Sequence, residues 1–324
     1  MKTTRTRNFT DSCVLAAWAG AILLVVGDAD AQTVVPANNL FVANWYSPGA
    51  IYQFATGGGQ STFYSGDLGE PEGLAFDNAG NLFVADSLLG NVYQITPGGT
   101  KTTFASGVGD VNALAFDRTG NLFVSGFSTG DIYEFAPGGS ENIFASGLTK
   151  PQGLAFNAAG DLFAADASGN IYEYTPGGVS STFATGLVAP FGMTFDSLGN
   201  LFVAYDGKGL GNGGILKITP SGAQSTFATG FYDPNYLAFD TAGNLFLSDD
   251  ASGRVVEIAP NGTESTFASG LGNATGIAFQ GLALPVPEPS AWMLMALLGG
   301  SALLAHCQRK TGLMPRSPFS GSLR

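Results

Sequence analysis

Short apolar segments alternate with polar, glycine-rich segments along residues 38–280. One unit of this pattern contains four apolar segments, and each is too short for a typical helix but long enough for a strand. Residues 77–80 (Asp-Asn-Ala-Gly) separate the first two segments, and residues 96–99 (Thr-Pro-Gly-Gly) separate the last two. Both of these turn segments supply glycine where a tight turn needs a positive φ. The unit therefore predicts four antiparallel strands, at residues 73–76, 81–85, 91–95 and 102–105.

The second segment of the unit occurs six times along the chain with nearly the same letters. Its leucine recurs at intervals of 39 to 44 residues, a period that indicates propeller or solenoid repeats. The segment is apolar at consecutive positions, which indicates a strand covered on both faces by neighbouring sheets. Because four strands make one propeller blade, we expect six blades. Their second strands begin at Leu40, Leu82, Leu122, Leu162, Leu201 and Leu245.

The two ends of the repeat region complement each other. The region begins with a second-strand segment, residues 39–43, and finishes with an additional first-strand segment, residues 276–279. We expect the last strand to become the innermost strand of the first blade, so that the ring closes and both terminal strand edges are paired. Phenylalanines that recur in three of the four strands are expected to fill the space between blades. The predicted fold is all-β, a closed six-bladed propeller of four-stranded antiparallel blades over residues 32–285.

Composition narrows the range of functions. Residues 32–285 contain six basic and twenty-one acidic side chains, a net charge of −15. Such a body repels phosphate, so we expect no nucleic-acid partner. The only histidine, His306, and both cysteines, Cys13 and Cys307, lie outside the repeats. Histidine-dependent catalysis and thiolate metal sites are therefore not expected in the propeller, and no catalytic residue is assigned.

Residues 1–31 contain the three parts of a secretory signal peptide. Basic residues come first, an apolar run follows over residues 13–26, and Ala29-Asp30-Ala31 provides a small-residue cleavage site. We expect cleavage after Ala31 and export of the chain. A transmembrane anchor is the alternative, although the apolar run is short for a bilayer span.

The C-terminal segment carries a second targeting pattern. Pro287, Glu288 and Pro289 precede an apolar stretch from residue 291 to 305, which Arg309 and Lys310 follow. Residues 286–310 thus resemble a PEP-CTERM sorting signal, and the resemblance implies an exosortase-like processing enzyme as a partner. The apolar stretch predicts a C-terminal transmembrane helix, with a plain membrane anchor as the alternative to a sorting signal.

The charges that flank this helix predict its orientation. Basic residues favour the cytoplasmic side, so the basic tail, residues 311–324, is expected in the cytoplasm and the propeller outside. The chain would then pass transiently through the inner membrane. We expect an exported protein of the cell envelope, cell surface or extracellular matrix of a Gram-negative bacterium.

The repeat pattern itself resembles a known group. Residues 73–86, Gly-Leu-Ala-Phe-Asp-Asn-Ala-Gly-Asn-Leu-Phe-Val-Ala-Asp, resemble NHL-type repeats and their relatives in the gluconolactonase and streptogramin-lyase group of propellers. The resemblance covers residues 38–280. In that group the innermost strands start, and the second strands end, on one face around the central channel. Gluconolactonase-like enzymes bind a divalent cation there, so the resemblance implies a calcium or similar site made by Glu72, Asn112, Gln152 and Asn235.

Aspartates near the ends of the second strands have two interpretations. Their carboxylates can accept hydrogen bonds from the turn that follows, as at Asp86. Alternatively, Asp249 and Asp250 could form a calcium-binding surface with nearby groups, although no dense acidic calcium loop is present.

Two classes of function follow from these observations. The first is a binding or structural scaffold at the cell surface, sorted by an exosortase-type system, with extracellular polysaccharide or another surface protein as its ligand. The second is a divalent-metal-dependent, lactonase-like hydrolase with its site at the channel mouth. The sequence favours the first, because only Glu72 among the implied metal ligands carries a charge.

Overall fold

The computed structural model describes residues 38–281, apart from residues 47, 57 and 208–210. These residues fall within one compact unit, residues 34–286. The predicted signal peptide and the sorting residues Pro287, Glu288, Pro289, Arg309 and Lys310 lie outside the described residues. No helix in the described ranges is long and apolar enough to cross a membrane.

The described chain forms twenty-four strands and a single-turn 3₁₀ helix at Asp250–Ser252. In chain order the strands are β1 (Leu40–Asn44), β2 (Ala50–Phe54), β3 (Gln60–Ser65), β4 (Pro71–Phe76), β5 (Leu82–Asp86), β6 (Asn91–Ile95), β7 (Lys101–Ser106), β8 (Val111–Phe116), β9 (Leu122–Gly126), β10 (Asp131–Phe135), β11 (Glu141–Ala145), β12 (Pro151–Phe156), β13 (Leu162–Asp166), β14 (Asn170–Tyr174), β15 (Ser180–Ala184), β16 (Pro190–Phe195), β17 (Leu201–Tyr205), β18 (Gly213–Ile218), β19 (Gln224–Phe231), β20 (Pro234–Phe239), β21 (Leu245–Asp249), β22 (Arg254–Ile258), β23 (Glu264–Ser269) and β24 (Ala274–Phe279).

These strands form six four-stranded antiparallel sheets, as the sequence predicts. Blade 1 has the order β24-β1-β2-β3, and blades 2 to 6 each use four consecutive strands, starting at β4, β8, β12, β16 and β20. Each innermost strand packs beside the innermost strand of the next blade, and β24 packs beside β4. The six sheets therefore form a closed propeller around a central channel.

Closure of the ring depends on the pairing of the last strand with the first. Leu40 lies opposite Phe279 and Val42 lies opposite Ile277 in the β1–β24 ladder. Beyond this ladder the Gln280 amide donates to the Asn39 carbonyl oxygen at 2.9 Å. The predicted closing strand is confirmed. It hides the edges of both strands and so removes a site where another chain could pair.

The turn between the first two strands of blades 2, 3, 5 and 6 is held by an aspartate side chain. In the turn between β4 and β5, one carboxylate oxygen of Asp77 accepts hydrogen bonds from the amides of Ala79 and Asn81 at 2.9 and 2.8 Å. Gly80 then takes φ = 80°, a conformation that residues with a Cβ rarely adopt. The same geometry recurs around Asp117, Asp196 and Asp240.

The core lies between adjacent blades. Every residue of the second strand β5 is buried, as expected for a strand covered on both faces. The Phe83 ring makes edge-to-face contacts at 5.0 Å with Phe104 of its own blade and with Phe116 of the next blade. Phe76 packs in the same way on Phe41 of the preceding blade. Because equivalent contacts recur around the ring, the recurring phenylalanines join each blade to its neighbours, as predicted.

Candidate functional site

The innermost strands begin on the face of the propeller where the second strands end. We call this side the mouth face; it carries the loops between second and third strands and the connections between blades. The opposite side, which carries the short turns within each hairpin, is the turn face. The structure places all four predicted ligands, Glu72, Asn112, Gln152 and Asn235, at the second position of an innermost strand, at the mouth face.

Tyr236 spans the channel just below this level. Its hydroxyl group donates to the side-chain oxygen of Asn112 at 2.6 Å, and it also lies 2.9 Å from the Asn112 carbonyl oxygen. Tyr236 belongs to blade 6 and Asn112 to blade 3, which lies on the opposite side of the six-bladed ring. The tyrosine therefore forms a bridge across the channel and uses the oxygen that the sequence assigned to a metal ligand.

Glu72 lies in an acidic environment. Burial, together with the negative charges of Asp250, Glu70 and Asp233, raises the pKa of Glu72 to about 8, although a hydrogen bond from the Trp45 side chain acts in the opposite direction. The pKa of Tyr236 is also raised, by burial and by the charge of Glu72. The charge of Glu72 thus acts on the tyrosine bridge, and charges from the loops of blade 6 act on Glu72.

Asp233 and Asp250 complete this acidic group. Burial and, to a smaller extent, the charges of Asp233 and Asp249 raise the pKa of Asp250 to about 7. Burial also raises the pKa of Asp233, together with the charges of Asp206 and Asp249. The charge of Asp233 therefore acts on both Glu72 and Asp250.

The predicted cation site fits this arrangement only in part. The side-chain oxygen of Gln152 is buried without a hydrogen-bond partner, and the residue is only 6% exposed, so this oxygen could accept a ligand. However, within the described ranges no three acidic, histidine or cysteine side chains are close enough to hold a metal ion together. Since Asn112 already accepts from Tyr236, the residues do not form a compact shell of oxygen ligands.

The aspartates that end the second strands have a structural role. The carboxylate of Asp86 accepts from the amides of Gly69 at 2.7 Å and Glu70 at 3.2 Å, and from Leu89 in the following turn at 3.2 Å. Asp249 binds the amides of Tyr232 and Asp233 and pairs with Arg254 at 2.8 Å. The predicted bonds from the following turn are present at Asp86, but its shortest bond comes from the connection that enters the blade.

Exposed apolar side chains concentrate on the mouth face. Among the described residues, eight large apolar side chains are exposed, and five of them lie in mouth-face loops. They lie in the β1–β2 and β5–β6 loops and in the connections that enter blades 5 and 6. They are Tyr46, Leu88, Leu89, Val188 and Tyr232.

Comparisons with known proteins identify the fold. No family model matches the chain, and no curated protein matches it. A solved structure of the nidogen/laminin complex is similar with a TM-score of 0.66 and 20% identity, over 76% of this chain and 99% of the other. A putative gluconolactonase has a TM-score of 0.54 and 17% identity, over 61% and 77% of the two chains. A streptogramin B lyase has a TM-score of 0.50 and 15% identity, over 68% and 70%.

This is a propeller fold shared by binding proteins and enzymes. At such low identity the similarity establishes the architecture alone, so any site has to be argued from this chain's own residues.

Sequence reasoning missed the tyrosine bridge and Asp233, and it named Glu72 and Asp250 only in two separate hypotheses. A signal for Tyr236 was present, because four of the other five units have glycine, and one has alanine, at the position where blade 6 has tyrosine. The acidic group had no such signal. Glu72 lies in blade 2 and Asp250 in blade 6, 178 positions apart in the chain. Only closure of the ring brings these two blades near each other.

Proposed function

We propose that this protein is an exported propeller that binds a component of the cell surface or extracellular matrix through its mouth face. Export and sorting by an exosortase-like enzyme are part of the proposal, and they rest on the two terminal sequence patterns. The ligand is an extracellular polysaccharide or another surface protein. The propeller serves as a rigid scaffold that presents its loops on one face.

The observation that carries this proposal is that five of the eight exposed large apolar side chains of the described residues lie in mouth-face loops. Tyr46 is 60% exposed and Tyr232 is 46% exposed, and both lie in loops on the same face. Contiguous exposed apolar groups on a soluble domain commonly indicate an interaction site. Aromatic side chains are especially common in such sites, because they bury a large area at a small cost in conformational entropy.

The charge of the mouth face limits the kind of partner. Glu72, Asp233 and Asp250 all have raised pKa values, so their negative charge grows as the pH rises, and it then favours a partner with cationic groups or a bridging divalent cation. A propeller of the same fold occurs in the nidogen/laminin complex, which supports a role of this architecture in binding between extracellular proteins.

The test compares two pairs of substitutions on opposite faces. The full chain is mixed with extracellular polysaccharide and matrix from the same cells, with and without calcium, and the bound fraction is measured by sedimentation. Tyr46→Ser with Tyr232→Ser removes two aromatic side chains from the mouth face. Val179→Ser with Leu198→Ser removes two exposed side chains from the turn face and serves as the matched control.

We expect the mouth-face pair to reduce binding about tenfold or more, because each buried aromatic side chain contributes on the order of 1 kcal/mol or more. The turn-face pair should leave binding unchanged. Equal binding by both pairs would show that the mouth face is not the docking surface.

The second candidate function is a divalent-cation-dependent hydrolase of the lactonase kind. It is favoured by the raised pKa of Glu72 and Asp250 and by the unpartnered Gln152 oxygen, since a cation would interact favourably with all of them. The test is metal analysis of the purified chain together with turnover of simple lactones. Lactone turnover that Glu72→Ala abolishes would establish the hydrolase, whereas the scaffold proposal expects no turnover and little tightly bound metal.

A further inference from the structure

A cavity of about 600 Å³ opens on the turn face, along the channel axis. We call it the axial cavity. All six innermost strands contribute to its wall. None of the residues predicted from the sequence to form a site lines this cavity, and it lies at the opposite end of the channel from the mouth face.

The wall of the axial cavity consists of three levels of apolar side chains. The deepest level contains Leu74, Leu154, Met193 and Leu237, and the middle level contains alanines together with Thr194. Small residues at the middle level leave the space open. The outer level is a ring of six phenylalanines, Phe76, Phe116, Phe156, Phe195, Phe239 and Phe279.

The phenylalanine ring is held rigidly in place. Each ring makes an edge-to-face contact with a phenylalanine of the neighbouring blade, for example Phe156 with Phe123 at 5.1 Å and Phe239 with Phe202 at 5.2 Å. Rings fixed in this way do not lose conformational freedom when a ligand binds, which favours binding. The cavity therefore has a preformed aromatic opening.

The tyrosine bridge crosses the channel on the mouth-face side of the cavity. Tyr236 precedes Leu237 on β20 and lies one position nearer the mouth face, where its hydroxyl group reaches Asn112 across the channel. Glu72, Asp233 and Asp250 do not line the axial cavity. The two ends of the channel therefore differ in chemistry, one acidic and one apolar.

Charged groups at the opening are already engaged. The carboxylates of Asp77, Asp117 and Asp196 accept hydrogen bonds from their own turns. The Arg118 side chain donates to the Ala158 carbonyl oxygen. A charged ligand would gain little from these groups and would lose its hydration, whereas an apolar ligand would bury its surface against the wall.

We propose that the axial cavity binds a compact, uncharged, ring-containing apolar molecule. Its volume falls within the range of about 300 to 1,000 Å³ that is usual for small-molecule sites. Aromatic or alicyclic rings suit the opening, because they can make edge-to-face contacts with the six phenylalanines. This site is independent of the proposed function at the mouth face.

Benzophenone is a suitable probe, because it is uncharged, has two rings and on illumination forms covalent bonds at nearby C–H groups, readily at methionine. Met193 lines the cavity and is the only methionine in residues 38–281. The full chain in lipid nanodiscs is titrated with benzophenone, illuminated and digested, and the adduct on the Met193 peptide is quantified by mass spectrometry. Naphthalene serves as an uncharged competitor and 4-carboxybenzophenone as an anionic one.

We expect saturable labelling of the Met193 peptide that naphthalene suppresses and the anion does not. Thr194→Leu and Ala75→Leu fill the cavity from opposite blades and should reduce the labelling about tenfold, because the probe can no longer be buried. Ala223→Leu adds the same side chain to an exposed turn and should leave labelling unchanged.

Two results would overturn the proposal. One is Met193 labelling that does not saturate or does not respond to naphthalene in the unmodified chain. The other is equal labelling in the two cavity-filling variants, with circular dichroism showing that they are folded. Because the competition experiment uses the unmodified chain, it decides the question even if both variants fail to fold.

Discussion

One side chain crosses the channel of the propeller. Five of the six units have glycine or alanine at the third position of the innermost strand, and blade 6 has Tyr236. This one replacement places a ring across the channel between the acidic residues at the mouth and the apolar cavity. The bridge is stabilised by a partly buried hydrogen bond to Asn112, and a partly buried group that loses its partner lowers stability.

Tyr236→Phe should lower the stability of the propeller. The phenylalanine keeps the ring but leaves the Asn112 oxygen without its donor, so we expect a loss of about 1 to 2 kcal/mol in the free energy of unfolding. Urea denaturation followed by circular dichroism measures this. Tyr232→Phe, at an exposed position, is the matched control and should have almost no effect. Equal stability of the two variants would show that the cross-channel bond contributes nothing.

The acidic group should make stability depend on pH. Since the folded pKa of Glu72, about 8, lies above its ordinary value of 4.5, the folded state binds more protons than the unfolded state between these limits. The stabilisation is fully present below about pH 4 and is lost as pH rises through 8. Each such group contributes a slope of up to about 1.4 kcal/mol per pH unit.

Glu72→Gln should therefore flatten the decline of unfolding free energy between about pH 5 and 8. The control is Glu264→Gln, which changes an exposed carboxylate on the outer strand β23. Thermal unfolding at a series of pH values measures both. A decline that is just as steep in Glu72→Gln as in the control would contradict the assignment.

At the scale of the strand, close approach between neighbouring innermost strands explains the small residues there. A Cβ added to Gly276 would clash with the backbone carbonyl oxygen of Glu72, and one added to Gly153 would clash with that of Phe191. These contacts are with backbone, which cannot rotate away as a side chain can. The glycines are therefore required by the packing of strand against strand.

Gly276→Ala should destabilise the protein by about 1 to 3 kcal/mol, because the methyl group forces β24 and β4 apart. Gly59→Ala provides the comparison, since an added Cβ there meets no atom within 4 Å. Both variants are measured by urea denaturation. If Gly276→Ala is as stable as Gly59→Ala, the strands are free to separate and the explanation is wrong.

At the scale of the whole molecule, the ring is stable because its ends are joined. The β24–β1 ladder is the only pairing that joins the two ends of the described chain, and it connects residues about 240 positions apart. Ile277 of β24 is almost completely buried in the cluster between blades 6 and 1. Loss of this strand would expose two sheet edges and the apolar surface beneath them.

Ile277→Asp should destabilise the fold by about 3 kcal/mol or more, because it places an unpaired charge in the core. Ile143→Asp makes the same change at a side chain that is 55% exposed on the outer strand β11, and it should be tolerated. Thermal unfolding with two probes, circular dichroism and fluorescence, measures stability and cooperativity. Similar melting temperatures for the two variants would mean that closure by β24 is dispensable.

The sequence by itself determined the repeating part of this protein. The strand segments reflect burial on both faces, and the turn segments reflect the need for glycine at positive φ. The extra first-strand segment at residues 276–279 complements the other end of the repeat region. Six copies of one pattern predicted the number of blades and the closure of the ring, and the structure agrees with both predictions.

Only the tertiary structure decided what the channel contains. Three features involve residues from different blades. They are the hydrogen bond between Tyr236 and Asn112, the electrostatic interaction among Glu72, Asp233 and Asp250, and the axial cavity. The bridge and the acidic group leave no periodic trace in the sequence, because each depends on which unlike side chains meet once the ring has closed. The axial cavity does use repeated positions, the phenylalanines and alanines of the innermost strands, but only the closed ring shows that they face one space. A repeat specifies its own fold, whereas the bridge and the acidic group arise where individual copies depart from the repeat.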